Sequence, residues 1–282
     1  MSTTDHENTD ALREKTLRRK EQWDSHKAMF RAGGWGCFFI MIPLFGLFVG
    51  LFLPFVHNAR EAARRMQCEG QSNCLRIALF CYHDEYGSFP PAYTVDENGK
   101  PLHSWRVLIL PYLEGKELYS QIRLNEPWDS EYNSQFHRPS EGEDFELWNP
   151  RLYSCPSDPR RKENCHTNWV MVVGENTISN GPRTTTLNDI TDDKATTILF
   201  IETTRPICWM APEDLTFENL DQGITQPYPK NPDAKASSYH SPGIRVRCLD
   251  GSPRTLPDSI SPETLKAMAT INGGEKTVLP EE

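Results

Sequence analysis

The chain has 282 residues, enough for one full domain or two small ones, and 30 Lys and Arg against 39 Asp and Glu leave a formal net charge of −9. That surplus of negative charge argues against nucleic acid as a partner, and 22 prolines against 17 glycines argue against a helical bundle. The composition is otherwise that of a globular chain, yet residues 32–56 contain no Asp, Glu, Lys or Arg, and that segment sets the class.

Residues 1–34 read as a short cytoplasmic tail, polar and charge-mixed up to Arg31, either disordered or a frayed helix. The 22 residues from Trp35 to Val56 span about 33 Å as a helix, against a hydrocarbon core of about 30 Å. Residues 35–56 are therefore expected to cross a membrane once. A cleaved signal peptide has a shorter apolar core and a small-residue cleavage site, which this segment lacks. Pro43 and Pro54 are tolerated in lipid, and Gly46 and Gly50 form a G-x-x-x-G spacing that lets a second helix approach, a route to self-association. Arg13, Lys15, Arg18, Arg19, Lys20, Lys27 and Arg31 precede the span, whereas Arg60, Arg64, Arg65 and Arg76 follow it. The bias places the N-terminus inside, so that the protein is integral to the inner membrane and its C-terminal domain is periplasmic or exoplasmic. That domain is acidic, which disfavours docking on anionic lipid.

Residues 57–87 form an extramembrane helical stem. Ala59, Ala62, Ala63 and Met66 share one face, Gly70 loosens the helix, and Leu75, Ala78, Leu79 and Tyr82 restore an amphipathic pattern that Ser88-Phe-Pro-Pro91 ends. In the remaining domain, 88–282, Ser104 caps a short helix from Trp105 that Pro111 cuts off, and a second runs over about Lys116–Ile122. Asn168–Val173 and Thr196–Ile201 read as β-branched strands. Ile244, Val246 and Cys248 alternate with Arg245 and Arg247 as a half-buried strand, followed by an Asp250-Gly251 turn and a return strand over Ser252–Leu256. Ser261 and Pro262 start a last helix that ends near Asn272-Gly273-Gly274.

Five ordered motifs carry a resemblance: Ala59-Arg-Glu-Ala-Ala-Arg-Arg-Met-Gln-Cys68, Tyr82-His-Asp-Glu-Tyr-Gly-Ser-Phe-Pro-Pro91, Ser104-Trp-Arg-Val-Leu-Ile-Leu-Pro-Tyr-Leu-Glu114, Cys155-Pro-Ser-Asp158, and His240 followed after nine residues by Asp250-Gly251. Together they resemble a bacterial family catalogued as domain of unknown function 1559, whose N-terminal helix is similar to that of prepilins and type II secretion pseudopilins. The resemblance implies an α+β, pilin-like fold: a long N-terminal transmembrane helix continuing into a stem that packs on an antiparallel β-sheet. Two departures stand out. Members usually begin with a Gly–Phe cleavage point and a nearby Glu, whereas this chain has Arg31-Ala-Gly-Gly-Trp-Gly-Cys-Phe-Phe39, so an uncleaved anchor is expected. Asp192-Asp193-Lys194 stands where the family tends to have a glycine turn.

His240 and Asp250 are types that ligate metals or exchange protons. The simpler reading is structural: Asp250 bonds the backbone of its own turn with Gly251, and His240 pins the hairpin's base. His83-Asp84 on the stem would complete a site only if folding brought them there. Of the cysteines, Cys155 with Cys165 closes a short loop, and Cys68 with Cys155 is the rival pairing because both lie in family motifs. No C-x2-C pair offers half a zinc site, and hydrolase, phosphate-loop and dinucleotide motifs are absent from the sequence. Neither catalytic residue, metal nor cofactor is expected. Asp158, Asp192, Asp193 and Glu202 read as solvated surface, and Trp128, Trp148, Trp169 and Trp209 as core or loop packing rather than a ligand surface. The leading expectation is a non-enzymatic, membrane-anchored protein with a structural, assembly or interaction role among envelope partners. The alternative is an anchored ligand-binding module, and the third is a metal-dependent enzyme.

Overall fold

The computed structural model describes residues 3–137, 151–161, 165–240 and 242–275, with side chains at 13–25, at 27 and from 41 onward. Trp148 and the side chain of Cys37 lie outside the described residues. Contacts divide the chain into two units, Met1–Ala62 and Ala63–Glu282, and the boundary falls inside one helix, α1, Thr3–Tyr86. The N-terminal tail, expected as coil or frayed helix, is thus part of α1 from Thr3. The helix also runs through Pro43, Pro54 and Gly70 without a break. Within the first unit the apolar side chains of Met41–Val56 point outward, with Phe45 68% and Phe55 71% exposed. α1 is long and apolar enough to cross a membrane, and none of its most apolar stretch is buried.

The second unit is α+β, consistent with a pilin-like fold. Its centre is an antiparallel sheet in the order β3-β5-β7-β8, made of β3 (His166–Val170), β5 (Ile198–Cys208), β7 (Ile244–Cys248) and β8 (Pro253–Leu256). A hairpin of β1 (Tyr93–Val95) and β2 (Pro101–Ser104) and a short parallel pair, β4 (Val172–Val173) with β6 (Leu215–Thr216), flank it. Of these, β1 and β2 carry no alternating apolar pattern and were not legible as strands.

One core holds Leu75, Ala78 and Leu79 of α1 with Trp105, Trp169, Phe200 and Trp209. The other holds Val170, Ile201 and Val246 with Leu265 and Met268 of α4 (Pro262–Ala269). The sheet therefore has apolar clusters on both faces, which explains why β5 is buried without alternation from Ile198 to Thr204, polar residues included, and extends beyond the expected Ile201. Local signals act as the sequence suggested. Ser104 accepts from the backbone of Arg106 at the head of α2 (Trp105–Leu108), and Ser261 accepts from Thr264 at the head of α4, whose first residue is Pro262. The β7–β8 turn contains Gly251 at φ +95, and Gly243, at φ +74, enters β7 where a Cβ would meet the Leu256 carbonyl oxygen.

Candidate functional site

Four side chains remote in sequence meet inside the second unit: Cys68 of α1, Cys155 of the loop before β3, Glu202 of β5 and His240 of the loop before β7. All four are buried, and their ligand atoms lie within 4.8 Å of one another. Cys155 Sγ is 3.1 Å from His240 Nε2.

The Cys155-Pro-Ser-Asp158 turn is fixed by its neighbours. The Cys155 backbone N–H donates to Asn168 Oδ1 (2.6 Å), and Asp158 N–H donates to the Cys155 carbonyl (3.0 Å). Asn168 in turn donates to Asp158 Oδ2 and to the Thr203 carbonyl on β5. Arg160 clamps Asp158 through two nitrogens and also donates to the Thr204 carbonyl and the Tyr239 hydroxyl, tying the loop that carries His240 to the same turn. His240 N–H donates to Ser238 Oγ. These bonds hold Cys155 and His240 against Glu202, because Thr203 and Thr204 follow it directly on β5.

Glu202 and Asp158 correct the expectation of solvated carboxylates: they are 0% and 5% exposed. Glu202 sits mid-strand with cores on both faces, and Asp158 is paired with Arg160 at 2.9 Å. Glu202 Oε2 accepts a long bond from Arg245 N–H (3.4 Å), the Ser238 side chain hydrogen-bonds the same carboxyl group, and buried Oε1 has no partner among the described residues. Burial pushes its carboxyl pKa up, opposed by Ser238, Arg245 and His240. The Cys155 thiol is pushed well up, first by its hydrogen bond with Cys68 and then by burial, with His240 pulling the other way.

A second group, His137, Cys165 and Cys208, gathers where β3 and β5 begin their pairing at His166 and Cys208. Here both cysteines are partly buried. Cys208 hydrogen-bonds the Cys165 thiol and lowers its pKa to about 5 against the effect of burial, with help from His137. Burial drives Cys208 in the opposite direction. Cys155 and Cys165 thus belong to different groups.

Of the other residues singled out from sequence, Trp128 packs against His137 with ring centroids 4.9 Å apart and Trp209 N–H donates to the Cys165 carbonyl, while Asp250, Gly251, His83 and Asp84 belong to neither group. Asp250 is exposed and accepts from Ser252 N–H and Oγ–H within its own turn, while Gly251 offers its carbonyl to Arg247. His83 packs against Phe89 with tilted rings whose centroids are 4.9 Å apart, and its Nδ1 lies 3.8 Å from Asp84. Trp169 and Trp209 are core residues. No spacing rule finds the four-residue group, since Cys68 and His240 lie 172 positions apart; the one signal is that Cys68, Cys155 and His240 each lie in a quoted motif.

The model of the family described as "Protein of unknown function (DUF1559)" matches residues 57–228. That span takes in Cys68, Cys155 and Glu202 and stops short of His240, Asp250 and Gly251, so the His-x9-Asp-Gly motif lies beyond it. No curated protein and no solved structure matches the chain.

Proposed function

The chain belongs to the DUF1559 family, and from that premise we propose that it is a single-pass protein of the inner membrane, N-terminus inside. Its domain outside the cytoplasm is a non-catalytic, pilin-like structural or interaction module of the cell envelope. The observation that carries this reading is the change in surroundings along α1. Between Met41 and Val56 the large apolar side chains are exposed, as a lipid-facing surface requires, whereas from Cys68 onward the helix buries Leu75, Ala78 and Leu79 in a protein core. A non-catalytic role is supported by the burial of Cys68, Cys155, Glu202 and His240, which close on one another rather than on a cleft. The apolar stretch also offers a surface for self-association, because nothing lies within 4 Å of a Cβ built at Gly46 or Gly50.

Protease digestion of intact spheroplasts, read together with the intact mass of the purified chain, tests this function. The expected result is digestion of the part after residue 56 from a chain whose N-terminus is unprocessed. Protection of that part would reverse the topology, and loss of roughly the first thirty residues would make the protein a processed pilin.

A further inference from the structure

We propose that Cys68, Cys155, Glu202 and His240 bind one divalent metal ion, zinc by the character of the donor set. Two sulfurs, one imidazole nitrogen and one carboxylate oxygen form a four-ligand set of the kind zinc accepts. In a tetrahedral zinc site with bonds of about 2.0–2.3 Å, ligand atoms lie about 3.3–3.8 Å apart. The four atoms here lie within 4.8 Å of one another, with Cys155 Sγ and His240 Nε2 already at 3.1 Å, so small side-chain rotations close the shell.

The competing occupant of the same space is a Cys68–Cys155 disulfide. It would use two of the four groups and leave Glu202 as it is: fully buried, without an ion pair among the described residues, and with Oε1 unpartnered. A buried carboxylate in that position carries a large desolvation penalty. A divalent cation engages all four groups. On binding, both thiols give up their protons to solvent, His240 binds as the neutral imidazole through Nε2, and no electron is transferred. Two thiolates, one carboxylate and the dication leave one net negative charge, which Arg245 offsets through space.

Four protein ligands leave no open coordination position, so the ion is structural. It ties together α1 within the second unit, the Cys155 turn, β5 and the loop that enters β7. The inference stands on the domain's own geometry, and its failure would leave the membrane topology proposed above untouched.

Full-length protein purified in detergent without chelator is analysed for metal, then stripped and titrated with cobalt(II), whose thiolate charge-transfer and tetrahedral visible bands report the ligands. Wild type is expected to carry one zinc per chain and to show both bands. Cys155→Ser is expected to lose the metal and the charge-transfer band, and Glu202→Gln, which keeps both thiols and the side-chain shape, to bind cobalt at least tenfold more weakly. His137→Ala, in the other group, is expected to keep the metal. Glu202→Gln decides the matter where Cys155→Ser does not fold. Unchanged cobalt affinity in Glu202→Gln overturns the proposal. So does folded wild type that holds neither zinc nor cobalt, a Cys68–Cys155 disulfide in the native protein, or metal lost only in His137→Ala.

Discussion

Two fully buried carboxylates in the same domain are handled in opposite ways. Asp214 has a cation built in: Arg106 of α2, itself 0% exposed, donates to it at 2.5 Å and also binds the Trp169 carbonyl through Nε and Nη2. Trp105 Nε1 and Met171 N–H add further donors to the same carboxylate oxygen. Glu202, also buried, has one long backbone bond, a hydrogen bond with the Ser238 side chain and no ion pair among the described residues. Around Asp214 a guanidinium bonds the carboxylate directly, although Oδ2 has no partner among the described residues, whereas Glu202 feels Arg245 only through space and is faced by two thiols and an imidazole, which are ligands.

Losing the Arg106–Asp214 pair is the costliest change. Asp214→Ala strands Arg106 in the core and is expected to cost about 3–5 kcal/mol, on the order of 10 °C in Tm, while leaving metal content unchanged. A thermal melt close to wild type would show that the pair carries no such weight. Next comes chelation, which is expected to lower wild-type stability by about 3 kcal/mol if free metal stands about 100-fold above Kd, and to leave the melt of Cys155→Ser unmoved. Smaller and opposite in sign is Glu202→Gln in stripped protein. Removing an unbalanced buried charge is expected to stabilise by about 1 kcal/mol, and destabilisation there would mean that Glu202 has a partner already.

Thiol chemistry sharpens the same contrast more gently. The Cys165 pKa is lowered to about 5 by the hydrogen bond from Cys208, so Cys165 stays a thiolate through neutral pH and loses that form only as pH falls through about 5. In reduced, stripped protein, Cys165 is expected to react with iodoacetamide before Cys155, at a rate nearly level from pH 8 to 6. A tenfold fall per pH unit over that range, the behaviour of an ordinary thiol, would contradict the arrangement of Cys165 and Cys208.

Much of the fold was legible because it is written locally. The uncharged run of residues 32–56, the Ser104 and Ser261 caps, Pro262 and the Asp250-Gly251 turn each act over a few residues, and each forms where its pattern predicts. β7 forms as well, but it is not half-buried, because Arg247 turns inward, 3% exposed, and donates to the Glu69 and Gly251 carbonyls. The strands β1 and β2 were not legible, since Tyr93–Val95 and Pro101–Ser104 are three and four residues long and pair with each other through an irregular register, without an apolar alternation of their own. The four-residue group was least legible. Glu202 looks like any surface acid until β5 acquires a core on each face, and Cys68 and His240 approach only when α1 and the β7 loop pack on the same sheet. Arg106 is hidden in the same way, a charge in a short motif that becomes a buried counter-ion only beside Asp214.

X-ray absorption at the zinc edge of the full-length protein, purified without chelator, addresses the four-residue centre most directly. The account predicts a four-atom shell of two sulfurs at about 2.3 Å and two nitrogen or oxygen atoms at about 2.0–2.2 Å. A shell of nitrogen and oxygen alone, or a folded protein with no zinc to measure, would contradict it.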